Sequence, residues 1–234
     1  MDSRYAHRII TAGKAFGALL LMLLPFAAAA HGVAEGDAQF LERIQGMHIV
    51  PYMYLGAKHM VTGYDHLLFL AGVIFFLYRL KDVALYVTLF AVGHSTTLLL
   101  GVLAGIRADA YIVDAIIGLS VVYKAFENLG GFRRLGLNID TRAAVLLFGL
   151  AHGFGLSTKL QDLALSTDGL VPNIIAFNVG VELGQFAALA LILIAFDVWR
   201  RSGTFLRSAY VTNVLIMMAG FTLFGYQLTG YFVS

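Results

Sequence analysis

Cysteine is absent from the 234 residues. No disulfide or thiolate metal site can form, so any bound metal must take imidazole, carboxylate, carbonyl, thioether or water as ligand. Charge is also scarce, at 13% of residues against roughly 25% in soluble domains. The net charge of +2 is too small to suggest a nucleic-acid partner, and no basic patch is interleaved with aromatics. No glycine-rich nucleotide-binding loop occurs, so any work done on a solute must draw on an ion gradient, the membrane potential or proton exchange. What is abundant is apolar surface. The hydrophobic fraction is 59% without glycine, more than a soluble chain of this length can enclose in a core.

The first thirty residues have the three-part layout of an export signal. Arg4, Arg8 and Lys14 precede an uncharged run from Ala15 to Ala30 that is too short to span a bilayer, and Ala28-Ala29-Ala30 offers small residues to a peptidase. Residues 1–30 are therefore expected to be a cleaved signal, leaving His31 as an N-terminus whose amine and ring could chelate a metal. Residues 31–58 are expected to form an external segment. Within it Phe40, Ile44 and Met47 recur at helical spacing, as in an amphipathic helix lying on the membrane surface. Residues 59–234 then read as an all-α bundle of six membrane helices, at about 59–79, 83–105, 110–128, 142–160, 171–198 and 208–232.

Basic residues orient the bundle, because those beside membrane segments stay mainly on the cytoplasmic side. Arg79, Lys81, Lys124, Arg133, Arg134, Arg142, Arg200, Arg201 and Arg207 fall on one side, and only Arg43, Lys58, Arg107 and Lys159 on the other. With the larger group inside the cell, both ends of the mature chain lie outside, in agreement with a cleaved signal.

Ionisable groups are costly in hydrocarbon and mark a pathway or a site. His94, His152 and Glu182 each fall about halfway along an expected span, and His66 roughly 10 Å below the outer end of the first, at 1.5 Å per residue. The densest cluster runs His59-Met60-Val61-Thr62-Gly63-Tyr64-Asp65-His66. On a continuous helix His59 and His66 share a face two turns apart, which could pass an ion inward; alternatively Asp65 and His66 cap a buried helix. Asn178, Glu182 and Gln185 make a polar stripe on an otherwise apolar segment, with Gly180 and Gly184 beside it. That stripe could be a site or could bind helices together. Three glycines surround His152, at Gly149, Gly153 and Gly155, and could either loosen the helix or allow close packing. Glu127 and Asn128, near Lys124, read more simply as a solvated salt bridge at the cytoplasmic end.

At His59 to His66 the sequence resembles the HupE/UreJ family of membrane proteins, whose first-helix signature is His, five residues, then Asp-His. The likeness is strongest to the more diverged branch of that family. It extends through Gly93-His94-Ser95, Tyr123 to Asn128, His152-Gly153-Phe154-Gly155 and Asn178 to Gln185. The resemblance implies a six-helix permease for nickel or a similar divalent ion, associated with supplying metalloenzymes such as hydrogenase or urease. In one respect the sequence departs from the better-understood branch, which carries an acidic residue shortly after its His-Gly. Here Leu156, Ser157 and Thr158 follow.

The expected function is thus transport of a divalent transition metal, with His59, Asp65, His66, His94, His152, Glu182 and Asn178 as metal-contacting residues. Imidazole and carboxylate suit nickel, cobalt, zinc or copper, and Met47, Met53 and Met60 near His48 and His59 keep copper open. The metal is substrate, and no tightly bound organic cofactor is expected. The expected partners are the lipid bilayer and the ion, with self-association left open. Two other readings compete: a membrane hydrolase with zinc on His66, His94 and His152, and a bis-His haem protein using His94 and His152.

Overall fold

The computed structural model describes residues 35–163, 165–201 and 203–234; the expected export signal and His31 lie outside them. Among the described residues the elements are α1 (Glu35–Arg43), α2 (Ile49–Thr62), α3 (Tyr64–Ile74), α4 (Leu80–Ala104), α5 (Ala110–Asn128), α6 (Gly131–Arg134), α7 (Thr141–Gln161), α8 (Leu170–Arg201) and α9 (Phe205–Val233), with no strand. The helix limits follow ordinary local rules. Asp109 and Asp140 cap α5 and α7 by accepting backbone N–H groups from Ile112 and Arg142. Gly105, at φ 66°, ends α4 in the left-handed conformation that glycine adopts without strain.

Helices α4, α7, α8 and α9 are each long and apolar enough to cross a membrane. Their outward faces are greasy: Leu183, Phe186, Leu191, Ile194 and Val198 of α8 are all exposed. The chain is an all-α membrane protein. Helix α5 carries Asp114, Lys124 and Glu127 but runs antiparallel to α9 along most of its length, with Tyr111 beside Gly230, Gly118 against Phe224, and Asn128 bonded to Asn213.

The first span differs from the expected continuous segment at 59–79. It begins at Ile49 and is made of two short helices, α2 and α3, that meet at Gly63. Together they run parallel to α8. A Cβ on Gly56 would strike the Phe177 carbonyl, one on Gly180 the Met53 carbonyl and one on Gly184 the Ala57 carbonyl. At the far end Arg200 donates to the carbonyls of Ile74 and Phe75, at 3.0 and 2.8 Å, closing α3. The expected boundary at residue 58/59 therefore falls inside a helix. Pro51, Tyr52, Tyr54 and Lys58 give residues 49–58 a mixed composition that reads as surface, and only close packing on the glycines of α8 draws them into the bundle.

Helices α4 and α7 also run parallel, pressed together through Gly93, Gly149 and Gly153, which face the backbones of Leu146, Phe90 and His94. Helix α7 stays continuous around His152, so these glycines serve close approach and do not break the helix. Near the basic end, Asn128 donates to the Gly72 carbonyl at 2.8 Å and to Asn213 at 2.9 Å. Lys124 pairs with Glu127 at 2.7 Å, and Glu127 also accepts from Thr141. This network ties α3, α5, α7 and α9 together, so Glu127 and Asn128 act here as a structural clasp.

Two apolar layers fill the interior. One, around Phe69, Phe75, Phe90, Val145 and Phe205, lies toward the basic end. The other, around Leu41, Met60, Leu98, Leu156 and Phe177, lies toward the opposite end. Leu41, and not the expected Phe40, is the side chain that α1 buries; Phe40 is exposed. Along three helices a histidine falls between the two layers: His66 between Met60 and Phe69, His94 between Phe90 and Leu98, His152 between Val145 and Leu156.

Candidate metal site

The helix break sets the geometry of this polar layer. Gly63 takes φ −74° and ψ 99°, leaving the helical region without strain. Little hydrogen bonding is lost, since its N–H still reaches the His59 carbonyl at 2.9 Å and its own carbonyl accepts from Leu67 at 3.1 Å. The turn places His59 at the end of one helix and Asp65 and His66 in the first turn of the next. A Cβ at Gly63 would sit 2.8 Å from His66 Nδ1 and 3.1 Å from Asp65 Oδ1. Glycine there makes room for the Asp65–His66 pair.

His66 is the hub. Its ring centroid lies 5.3 Å from that of His59, 5.9 Å from His94 and 4.9 Å from His152. Parallel packing of α4 on α7 brings the last two to one level, with Phe90 against both rings. His66, His94 and His152 are almost completely buried, and Asp65 with them. The arrangement is a hub with three neighbours. Among the described residues no three His, Asp or Glu side chains form a ready cage for one ion.

Hydrogen bonds fix which nitrogen carries the proton. His66 Nδ1 lies 3.0 Å from Asp65 Oδ1, and His152 Nδ1 lies 2.7 Å from the Phe148 carbonyl. A carboxylate and a carbonyl can only accept, so each Nδ1 carries the proton and, in the neutral ring, each Nε2 keeps a bare lone pair. Those two Nε2 atoms, and that of His94, are buried with no hydrogen-bond partner. Buried polar atoms are satisfied as a rule, and an orphaned imidazole lone pair held by an oriented Nδ1–H is the form in which histidine meets a metal. A cavity of about 10 Å³ is lined by His59, Asp65, His66, Asp114, His152 and Lys159 among others, and His94 stands behind His66 off its wall. That is room for a water-sized occupant.

The stripe on α8 lies to one side. Glu182 accepts from Ser95 at 2.8 Å, the residue next to His94, and Gln185 donates weakly to the Val87 carbonyl at 3.4 Å. Asn178 Oδ1 is buried with no hydrogen-bond partner. The structure thus brings His59, Asp65, His66, His94 and His152 together and sets Glu182 against Ser95 of α4, with no bond joining Asn178 to the histidines. The methionines do not gather there: Met47 is exposed and Met60 is packed in the apolar layer. Sequence reasoning missed Asp114 and Lys159, an ion pair at 2.7 Å on the same cavity. An aspartate four residues inside the apolar start of α5 was the available signal.

Apolar helices around a buried histidine layer at a helix break define a polytopic membrane protein with an ion-sized polar site. The chain belongs to the HupE/UreJ family: the family profile, described as HupE / UreJ protein, matches residues 35–234. No curated protein and no solved structure matches the chain.

Proposed function

We propose that the protein is a permease that moves a divalent transition-metal ion, nickel foremost, across the bacterial inner membrane. The observation that carries this reading is the pair of buried, unbonded Nε2 atoms on His66 and His152, each ring with its Nδ1 committed to an acceptor. Imidazole nitrogen suits nickel, cobalt, zinc and copper. A hub of imidazoles favours passage over storage, because conduction needs sites that bind well enough to load and weakly enough to release. Family membership points the same way, through the nickel association that the resemblance implies.

In this reading the end bearing Arg134 and Arg201 faces the cytoplasm, and both mature termini face the periplasm. Asp65 attracts the ion and orients His66. His59 receives it, His66 passes it to His152 and His94, and Glu182 with Asn178 takes it up beyond His94, where Ser95 holds the carboxylate. The cavity's size argues against the rivals. Sites for small molecules and cofactors run to roughly 300–1,000 Å³, whereas this one measures about 10 Å³. The test is nickel and cobalt uptake by proteoliposomes holding the parent chain, His66→Ala or His152→Ala. Uptake should require both histidines, and parent-like rates in both variants would refute the reading.

A further inference from the structure

Two charges that the histidine pathway does not use face each other at its edge. Asp114, four residues into α5, is 4% exposed. Both of its carboxylate oxygens take the ammonium of Lys159 on α7, at 2.9 and 2.7 Å. A buried ion pair is a poor way to stabilise a helix bundle, because desolvating both charges costs about what their attraction returns. Within an apolar bundle it is a functional signal.

Position says what the pair guards. Asp114 and Lys159 line the same small cavity as His59, Asp65, His66 and His152. Lys159 follows His152 by two turns on α7, roughly 10 Å nearer the end opposite the basic one. Gly155, between them, lets α7 pack closely on α5: a Cβ there would lie 3.2 Å from Ile117 Cδ1, 3.3 Å from Val113 Cγ1 and 3.4 Å from Asp114 Oδ1. Further out, Arg107 clasps Asp162 and the Gln161 carbonyl in a more exposed staple. An ion coming from that end meets the staple, then the Asp114–Lys159 pair, then the histidines.

We infer that Asp114 is a further ligand of the transported ion and that Lys159 is its tethered counter-ion, which the arriving ion displaces. The inference rests on the transport reading. Two carboxylates, Asp65 and Asp114, face the cavity, the first bonded to His66 and the second to Lys159. A divalent cation balances both. Exchange of Lys159 for the ion keeps Asp114 beside a cation in each state and supplies an oxygen donor beside the imidazoles. While Lys159 holds Asp114, the periplasmic approach stays closed to ions too weakly attracted to compete.

Binding of Ni²⁺ to the purified full chain in nanodiscs, by calorimetry, tests this with substitutions of opposite sign. Lys159→Gln frees the carboxylate and is expected to tighten binding roughly tenfold, since close charges in such surroundings interact by more than one decade in affinity. Lys159→Arg holds the carboxylate with a rigid fork and is expected to weaken binding. Asp114→Asn should weaken binding also, and Asp114→Asn with Lys159→Gln should bind no better than Asp114→Asn alone. Parent-like affinity in both Lys159 variants, with His66→Ala impaired, overturns the gate and leaves the histidine site standing. Parent-like affinity in His66→Ala and His152→Ala overturns the transport reading itself.

Discussion

The imidazole rings of His66 and His152 lie 4.9 Å apart, and each has its Nδ1 bonded to an acceptor on its own helix. Their Nε2 atoms are the bare ones. The two rings therefore carry buried lone pairs with their tautomers already set, which is the property an ion-passing site needs.

Asp65 acts on this property directly. Asp65→Asn keeps an acceptor beside His66 Nδ1 but removes the charge, whereas Asp65→Ala removes both. Partners that orient a metal-binding histidine typically contribute about 10–100-fold in affinity. Nickel binding is expected to fall in the order parent, Asp65→Asn, Asp65→Ala. Equal affinity in all three would detach Asp65 from the site.

Gly63 tests the helix break. Its backbone angles suit alanine, so an effect of Gly63→Ala comes from crowding His66 Nδ1, Asp65 Oδ1 and the His59 carbonyl, of which the first is nearest. Uptake should drop severalfold while thermal stability in detergent changes little. A large loss of stability with uptake preserved per folded molecule would show that the glycine serves the fold alone.

Close packing of α2 on α8 supplies a contrasting case. Gly180→Ala would drive a methyl into the Met53 carbonyl, whereas Gly225→Ala meets nothing within 4 Å. Overpacking typically costs about 1–3 kcal/mol. The first variant should melt clearly lower than the parent and the second should not. Matching melting temperatures would contradict the parallel packing of the broken span on α8.

How much of this was legible in the sequence depends on the interaction involved. Apolar runs, capping aspartates and a few buried histidines are local signals, and five of the six expected segments match α4, α5, α7, α8 and α9 within a few residues. The first, at 59–79, departs because residues 49–58 owe their burial to glycines on α8, which local composition does not register. Spacing on a continuous helix put His59 and His66 on one face. Gly63 instead turns the chain between them, and their rings meet all the same at 5.3 Å. Depth and the polar stripe both pick out Glu182, but neither says which neighbour its side chain meets; it faces Ser95. Asp114 and Lys159 each lie close to a helix end, where a solvated charge is the cheaper reading. Only the approach of α5 to α7 reveals them as a pair.

Orientation can be read independently of the site. Reporter fusions after Arg134 and after Arg201 should both behave as cytoplasmic, since the basic residues cluster at that end. A periplasmic signal from either would reverse the order in which an ion meets the Asp114–Lys159 pair and the histidines.

The most direct measurement is the initial rate of Ni²⁺ uptake into proteoliposomes by the parent chain, His66→Ala and His152→Ala, each shown to be folded by its melting temperature. The account predicts saturable uptake by the parent and loss of at least about tenfold in each variant, since each removes one imidazole ligand of an ion bound by few. Saturable uptake at the parent rate in both variants would contradict it.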